Sequence, residues 1–283
     1  MPRSAPPTAV ALALSTHPGP TVAVTLVTAV LGIGAGLDAG RIALVTLAVL
    51  ANQVSVGLSN DWIDARRDAA VGRLDKPIAR GWISAATVRA ASAVTVVIAV
   101  LLTLPLGWGA TVAHLVFIAS AWSYNLWLKR TPFSVLPFVL SFGLLPALVT
   151  LSGVPPLPAA WWALGAGALL GVAAHFANVL PDLADDRATG IAGLPHRLGR
   201  RTSGGVIAGA LAAAAVLVVL GPGSPGVLQG AGLALGLGLA AVCAVLATTR
   251  PPTRLLFQLI MAAALLDVAL LALAGERVLV LVR

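Results

Sequence analysis

Charge is what this chain has least of. Only 10% of its 283 residues are charged, against roughly 25% in a soluble domain, while 59% are hydrophobic and the mean hydropathy is +0.97. That balance excludes an ordinary soluble globule and describes an integral membrane protein. Long polar stretches are missing too, so residues 1–283 read as one membrane domain with no separate soluble unit. The single cysteine, Cys243, excludes a disulfide within the chain. Paired cysteines and a His-Glu-x-x-His run are absent, which removes the usual zinc sites, and no Gly-rich Walker A loop supports nucleotide-driven transport. The 12-residue EF-hand calcium loop is lacking as well. The formal charge of +8 is spread over short loops without interleaved aromatic residues, which argues against nucleic acid as a partner.

What the chain has in abundance is apolar sequence. Runs near the ~20 residues needed to cross a bilayer recur at 20–37, 41–60, 85–106, 108–127, 134–152, 159–180, 203–221, 226–248 and 254–274. The expected fold is therefore all-α, with nine transmembrane helices in a single bundle. The stretch Ala11–Leu14 behind Arg3 is short and followed by Pro18 and Pro20, which makes it a poor secretory leader. Even-numbered loops hold Arg66, Arg67, Arg73, Lys76 and Arg80, then Lys129 and Arg130, then Arg187, Arg197, Arg200 and Arg201, then Arg250 and Arg254. Odd-numbered loops hold only Asp38 and Arg41. The positive-inside rule thus places the N-terminus and the even loops in the cytoplasm. Sixteen Arg against two Lys, amid much Ala, Gly and Val, suit a GC-rich bacterial genome, so a bacterial cell membrane is the expected location.

One spacing occurs twice: Asn60, Asp64, Asp68, Gly72 and Asn178, Asp182, Asp186, Gly190. Steps of four keep each Asn and its two Asp residues on one helix face. With Asp61, Asp75 and Asp185, these segments hold seven of the ten acidic residues, and both begin at the cytoplasmic ends of their spans, two and six. Ionised oxygen beside a bilayer is costly unless something compensates it. Mg2+ does so naturally, since it takes oxygen ligands, keeps water, and joins carboxylates to substrate phosphates. Nearby Arg73, Lys76, Lys129, Arg130 and Arg187 complete the composition of a diphosphate site, and the expected ligand is a diphosphate whose other half is apolar.

Asn60-Asp61-x-x-Asp64-x-x-x-Asp68 with Arg73 and Lys76-Pro77-Ile78-x-x-Gly81-x-Ile83-Ser84 resembles the first signature of the UbiA family of intramembrane prenyltransferases. Asn178-x-x-x-Asp182-x-x-x-Asp186-Arg187-x-x-Gly190 resembles that family's second motif, and Ser123-Tyr124-Asn125-x-x-x-Lys129-Arg130 its Tyr-containing loop. The resemblance implies a helical bundle with a cytoplasmic cap over a central cavity, where Mg2+ holds a prenyl diphosphate that loses diphosphate to leave an allylic cation. Carried onto matching positions, Asn60, Asp64 and Asp68 form one ligand set and Asn178, Asp182 and Asp186 the other, with Asp61 and Asp185 assisting. Arg73, Lys129, Arg130 and Arg187 would hold the diphosphate, and Tyr124, the only tyrosine, would orient it or face the cation. The chain departs from the pattern at Lys76, where relatives often carry Arg, and at residues 191–199, which lack the Lys and Thr common there. These departures bear on the acceptor, for which an aromatic precursor of the quinone type is the first expectation. A terpene cyclase on the same scaffold and a non-catalytic transporter or lipid-binding protein for a phosphorylated lipid are the rivals.

Other residues have blander readings. Arg66, Arg67, Arg200 and Arg201 read as topology determinants. Asp267 in span nine is an intramembrane ionisable group or a hydrogen-bonded packing residue. His175, one turn before Asn178, and His114 are candidate bases or structural residues. Trp62, Trp82, Trp122 and Trp127 suit the membrane interface, with Trp122 the one chosen as a possible cation-facing ring. Phe142 and Phe176 read as packing or cavity lining.

Overall fold

The computed structural model describes residues 6–73, 76–183, 186, 190–223, 225–249 and 254–280, the side chains of Asp182, Arg254 and Phe257 excepted. Ten α-helices run through these residues: α1 Thr8–Ser15, α2 Pro18–Gly34, α3 Ala39–Ala70, α4 Ala85–Thr103, α5 Trp108–Leu126, α6 Leu136–Leu151, α7 Trp161–Val179, α8 Leu194–Leu220, α9 Val227–Thr249 and α10 Arg254–Leu273. Helices α2 to α10 coincide one for one with the nine expected spans. Five of them (α3, α4, α7, α8 and α9) are long and apolar enough to cross a membrane alone. Helices α1 and α2 reach that standard together across a 68° bend, and α6 and residues 258–273 of α10 are shorter apolar helices.

Local chemistry sets the boundaries. Asp38 caps α3 by accepting the Arg41 N–H at 3.0 Å, and Ser84 caps α4 by accepting from Thr87 at 3.0 Å. Helix α3 ends just before a left-handed glycine, Gly72 with φ 68°, and Gly190 is left-handed as well, with φ 78°. In each case the next N–H reaches the carbonyl of an aspartate: Arg73 to Asp68 at 3.0 Å and Ile191 to Asp186 at 2.9 Å. The glycine that closes each copy of the repeated spacing thus holds a conformation that only a residue without Cβ adopts freely, and at Gly72 it stops the helix.

Neighbouring helices pack in a ring, α2 against α3, α3 against α5, then α5–α6, α6–α7, α7–α8, α8–α10 and α10 back against α2. Helices α4 and α9 lie outside it: 17% and 28% of their apolar windows are buried by protein, against 61% for α7. The faces they leave bare, such as Val97, Leu101, Val242 and Val245, are the apolar surface expected towards lipid. The short α1 folds back over the ring, with Ala11 packed against Leu58 and Val88. Its elbow sits on α3 where Gly57 leaves room, because a Cβ there would overlap the Thr16 carbonyl. At the other end of the bundle, Ala160 N–H donates to Val278 O at 2.7 Å and Val280 N–H to Pro158 O at 2.9 Å, tying the final turn to the loop before α7.

The elbow contact is testable. Gly57→Ala should lower the thermal unfolding midpoint of the detergent-solubilised protein through roughly 1–3 kcal/mol of overpacking. Gly209→Ala on α8, where nothing lies within 4 Å of a built Cβ, should not. Equal midpoints for the two variants would refute the close approach.

Candidate functional site

Helix α3 runs 32 residues, well past the expected end of its span, and carries the first acidic set on one side of its last three turns. Asp61, Asp64 and Asp68 are all buried. Asp64 is the hub. Lys129 reaches both of its oxygens at 2.6 Å, and Arg67 donates to Oδ2 at 3.1 Å while also touching Asp68 Oδ1 at 3.4 Å. Asn60 Nδ2 lies 3.4 Å from Asp64 Oδ2 and 3.3 Å from Asn125 Oδ1. Asn125 is itself fixed by donating to Val56 O at 2.9 Å and Ser59 Oγ at 2.7 Å. Arg67 therefore corrects the sequence reading, which assigned it to topology: it lies three residues from Asp64, one turn of helix, and faces inwards. Arg66 is exposed, as a topology residue should be.

The loop after α5 splits its two cations. Lys129 is buried and Arg130 is exposed, outside the cavity lining. Burial pushes the Lys129 ammonium below the ordinary lysine value, and the adjacent Asp64 carboxylate pulls the other way. Such a buried pair is sustained only by close geometry, because both charges have lost their water.

A further residue escaped the sequence reading altogether. His17, at the bend between α1 and α2, adopts left-handed backbone with φ 54°, the only non-glycine residue to do so among those described. The following Pro18 disfavours the right-handed helical region for it. Its Nε2 lies 2.8 Å from Lys76 Nζ, and Lys76 lies 3.1 Å from Asp61 Oδ1, an ion pair without aligned hydrogen-bond geometry. A histidine wedged before Pro-Gly-Pro at the head of a span was the available signal.

The second set is built differently from the first. The sequence reading put Asn178, Asp182 and Asp186 on one uninterrupted helix face, but α7 ends at Val179 and Leu180–Asp182 form a 3-10 turn. Pro181 is the cause, since its ring clashes with the carbonyl four residues earlier and it offers no N–H. Asn178 is exposed to the cavity, and Asp186 Oδ2 lies 3.2 Å from His196 Nε2. Asp75, Asp185 and Arg187 lie outside the described residues, as does the Asp182 side chain.

Both sets face one cavity of about 680 Å³. Its mouth is lined by Asn60, Asp64, Arg67, Arg73, Lys76, Lys129, Asn178 and Asp186, and its body by apolar groups including Val24, Leu31, Phe142, Leu145, Leu170 and Leu271. Tyr124 stands at the boundary, edge-on to Phe138 with centroids 5.1 Å apart and to His175 at 5.7 Å. Trp122 is not part of this lining; its indole N–H donates to Ser55 Oγ at 3.3 Å. Trp82 is covered by Arg80 at 4.4 Å, Trp127 is exposed, and Trp62 packs beside Leu58. His114 is likewise structural, 2.6 Å from Thr103 Oγ1, and Asp267 is buried beside Gly236 outside the cavity. Phe176 is core packing.

Among the described residues no three acidic, histidine or cysteine side chains converge tightly enough to hold a metal by themselves. The donor set still suits a hard divalent cation shared with a ligand. Among the described residues Asp68 Oδ2 and Asp61 Oδ2 are buried without a hydrogen bond, Asp61 having only the Lys76 ion pair through its other oxygen, and buried carboxylate oxygens left so are costly.

Comparison with known proteins agrees with this geometry. The sequence model of the UbiA prenyltransferase family matches residues 5–254. No curated protein sequence matches the chain. A UbiA homologue from Archaeoglobus fulgidus, solved bound to GPP and Mg2+, superposes with a TM-score of 0.72 at 13% identity, covering 93% of this chain and 99% of that one. The apo structure of a UbiA homologue from Aeropyrum pernix K1 gives 0.70 at 19% identity over 88% and 97% of the two chains. A structure of digeranylgeranylglyceryl phosphate synthase gives 0.64 at 15% identity over 94% and 97%. At these identities the solved structures establish the fold, and the family match covers most of the chain: it belongs to the UbiA prenyltransferase family, membrane-embedded enzymes that transfer prenyl groups.

Proposed function

We propose that this enzyme binds Mg2+ and a prenyl diphosphate, transfers the prenyl group to an aromatic acceptor of the quinone-precursor type, and releases diphosphate. One observation carries the reading: a single cavity joins a mouth of carboxylates and cations to an apolar body, matching a ligand that is diphosphate at one end and isoprenoid at the other. The homologue from Archaeoglobus fulgidus solved with GPP and Mg2+ supports it. The aromatic wall of Tyr124, Phe138 and Phe142 favours a planar acceptor over a sugar phosphate or glycerol phosphate.

The Mg2+ would be held by Asn60, Asp64 and Asp68 from α3 and by Asn178, Asp182 and Asp186 beyond α7, with Asp61 and Asp185 beside them. Bound there, it would neutralise charge gathering on the departing diphosphate. Lys129, Arg67 and Arg73, which line the same mouth, reinforce that field from the protein side. Arg187 joins them in this reading. The exposed Arg130 sits too far out to do so, and it serves the membrane surface instead. Tyr124 presents its ring where the apolar body begins, next to the carbon that carries positive charge as the C–O bond breaks. The N-terminus and the even-numbered loops face the cytoplasm of a bacterial cell, so a soluble acceptor enters and the released diphosphate leaves on that side.

Asp64→Asn and Asp186→Asn should each lower Mg2+-dependent diphosphate release from geranyl diphosphate by about 10²-fold or more, the scale of removing one charge-stabilising group. Arg130→Ala should leave the rate near that of the parent. Wild-type rates in both aspartate variants would remove the two-cluster reading. Release without any acceptor, with a hydrocarbon product, would instead make the enzyme a cyclase.

Orientation has its own check. Cysteines introduced at Arg80 and at Val154 lie on opposite loops, both exposed, while the native Cys243 is buried. A membrane-impermeant maleimide should label Val154→Cys in intact spheroplasts and Arg80→Cys only in inverted vesicles. The reverse pattern would invert the topology.

A further inference from the structure

His175 sits on α7 one turn below Asn178, about 4.5 Å deeper along the helix axis, where the polar mouth gives way to the apolar body. It is 1% exposed, yet it lines the cavity. Its Nε2 is 3.0 Å from Ser134 Oγ, and that oxygen already accepts the Leu194 N–H at 2.8 Å. Among the described residues His175 Nε2 is the acceptor within reach of the Ser134 hydroxyl proton, and a hydroxyl that donates there requires a neutral ring with its proton on Nδ1. Among the same residues Nδ1 has no hydrogen-bond partner. A buried N–H left unpaired costs on the order of 1–3 kcal/mol, which a ligand oxygen would recover.

The surroundings define the shape of that ligand. Tyr124 meets the His175 ring edge-on, and Phe138 lies at 4.9 Å, itself stacked on Phe142. Phe138 is brought there because Gly171, one turn from His175, lets α7 close on the Phe138 carbonyl of α6. Leu194, whose amide fixes Ser134, belongs to the 191–199 segment where this chain departs from the family pattern.

We propose that His175 is the polar anchor of the acceptor subsite: its Nδ1–H hydrogen-bonds an oxygen of an aromatic acceptor whose ring lies against Tyr124 and Phe138. This rests on the prenyl-transfer reading and adds to it the acceptor's chemistry, a planar ring bearing a hydroxyl, carbonyl or carboxylate oxygen. In the transfer, the C1–O bond of the prenyl diphosphate breaks with its electron pair leaving on diphosphate. A ring carbon of the acceptor supplies the pair for the new bond to C1, and the displaced ring proton goes to the diphosphate. His175 keeps its own proton and acts as a positioning residue.

The test is calorimetric titration of 4-hydroxybenzoate into detergent-solubilised protein, with and without Mg2+ and the non-leaving analogue geranyl thiolodiphosphate. The parent should show saturable binding of the phenol. His175→Phe keeps a flat ring but no donor and should weaken it about tenfold or more, the loss of one hydrogen bond to a buried donor. Asn places its amide near the position of Nδ1 and Gln nearer that of Nε2, so His175→Asn should restore binding and His175→Gln should not. Titration of the thiolodiphosphate alone should be alike in all four proteins. Phenol binding absent from the parent, or equal in the parent and His175→Phe, overturns the subsite. If the Phe variant does not fold, equal affinities of the Asn and Gln variants overturn it instead. A parent that binds the phenol but not the thiolodiphosphate retains the subsite and loses the prenyl diphosphate reading.

Discussion

Everything at the mouth of this bundle depends on keeping the Asp64 carboxylate charged where water scarcely reaches it. Asp64 is 2% exposed, and only the close approach of Lys129 and Arg67 makes that tolerable. Each cation arrives from a different direction, Lys129 from the loop after α5 and Arg67 from one turn along α3 itself. The lysine in turn requires the loop to be held, which Asn125 does through Ser59 and Val56 of α3. A single carboxylate thus ties two helices and a loop into one frame, and Asn60 and Asp68 take their places from it. A bound cation would relax the arrangement rather than create it, since the protein already supplies positive charge to these oxygens.

How much of this was legible follows from how local each cause is. The nine helices could be read directly, because burial in lipid writes itself into composition over about twenty residues at a time. Gly72 and Gly190 could be counted, although their left-handed backbone emerged only from φ and from the bonds of the following Arg73 and Ile191 N–H groups to the Asp68 and Asp186 carbonyls. Spacing brought Asn60, Asp64 and Asp68 together because one continuous helix carries them. The same spacing brings Asn178 and Asp186 to the cavity as well, while Pro181 makes Leu180–Asp182 a 3-10 turn, a signal present in the sequence but outweighed by the repeat. The His17 contact escaped for another reason, although its place before Pro-Gly-Pro was a signal. Its partner Lys76 is 59 residues away in sequence, and nothing short of the α1 fold-back brings them within 2.8 Å.

The two halves of the site differ in kind. The α3 side is a rigid helical face whose charges are mutually paired. On the α7 side the α-helix passes into the 3-10 turn Leu180–Asp182, and Asp186 is met beyond it by His196. Gly193, where a Cβ would crowd both the Lys129 carbonyl and Ser134 Oγ, is the point at which the second half docks on the loop of the first. A change at that junction therefore bears on both halves at once, on Ser134 beside His175 and on the loop whose Lys129 holds Asp64.

Chemistry in such a cavity has a geometric constraint that decides where the acceptor lies. An allylic cation is consumed by the first nucleophile it meets, so water must be scarce around it and the intended nucleophile already in place. The diphosphate end cannot leave the charged mouth, and the isoprenoid tail cannot leave the apolar body, so C1 is confined to the boundary between them. Tyr124, Phe138 and His175 pack together at that boundary; in the proposed reading the first two would present rings to the electron-poor carbon, and the third would hold the acceptor. A nucleophile lodged deeper would meet only the tail, and one nearer the mouth would face the departing anion.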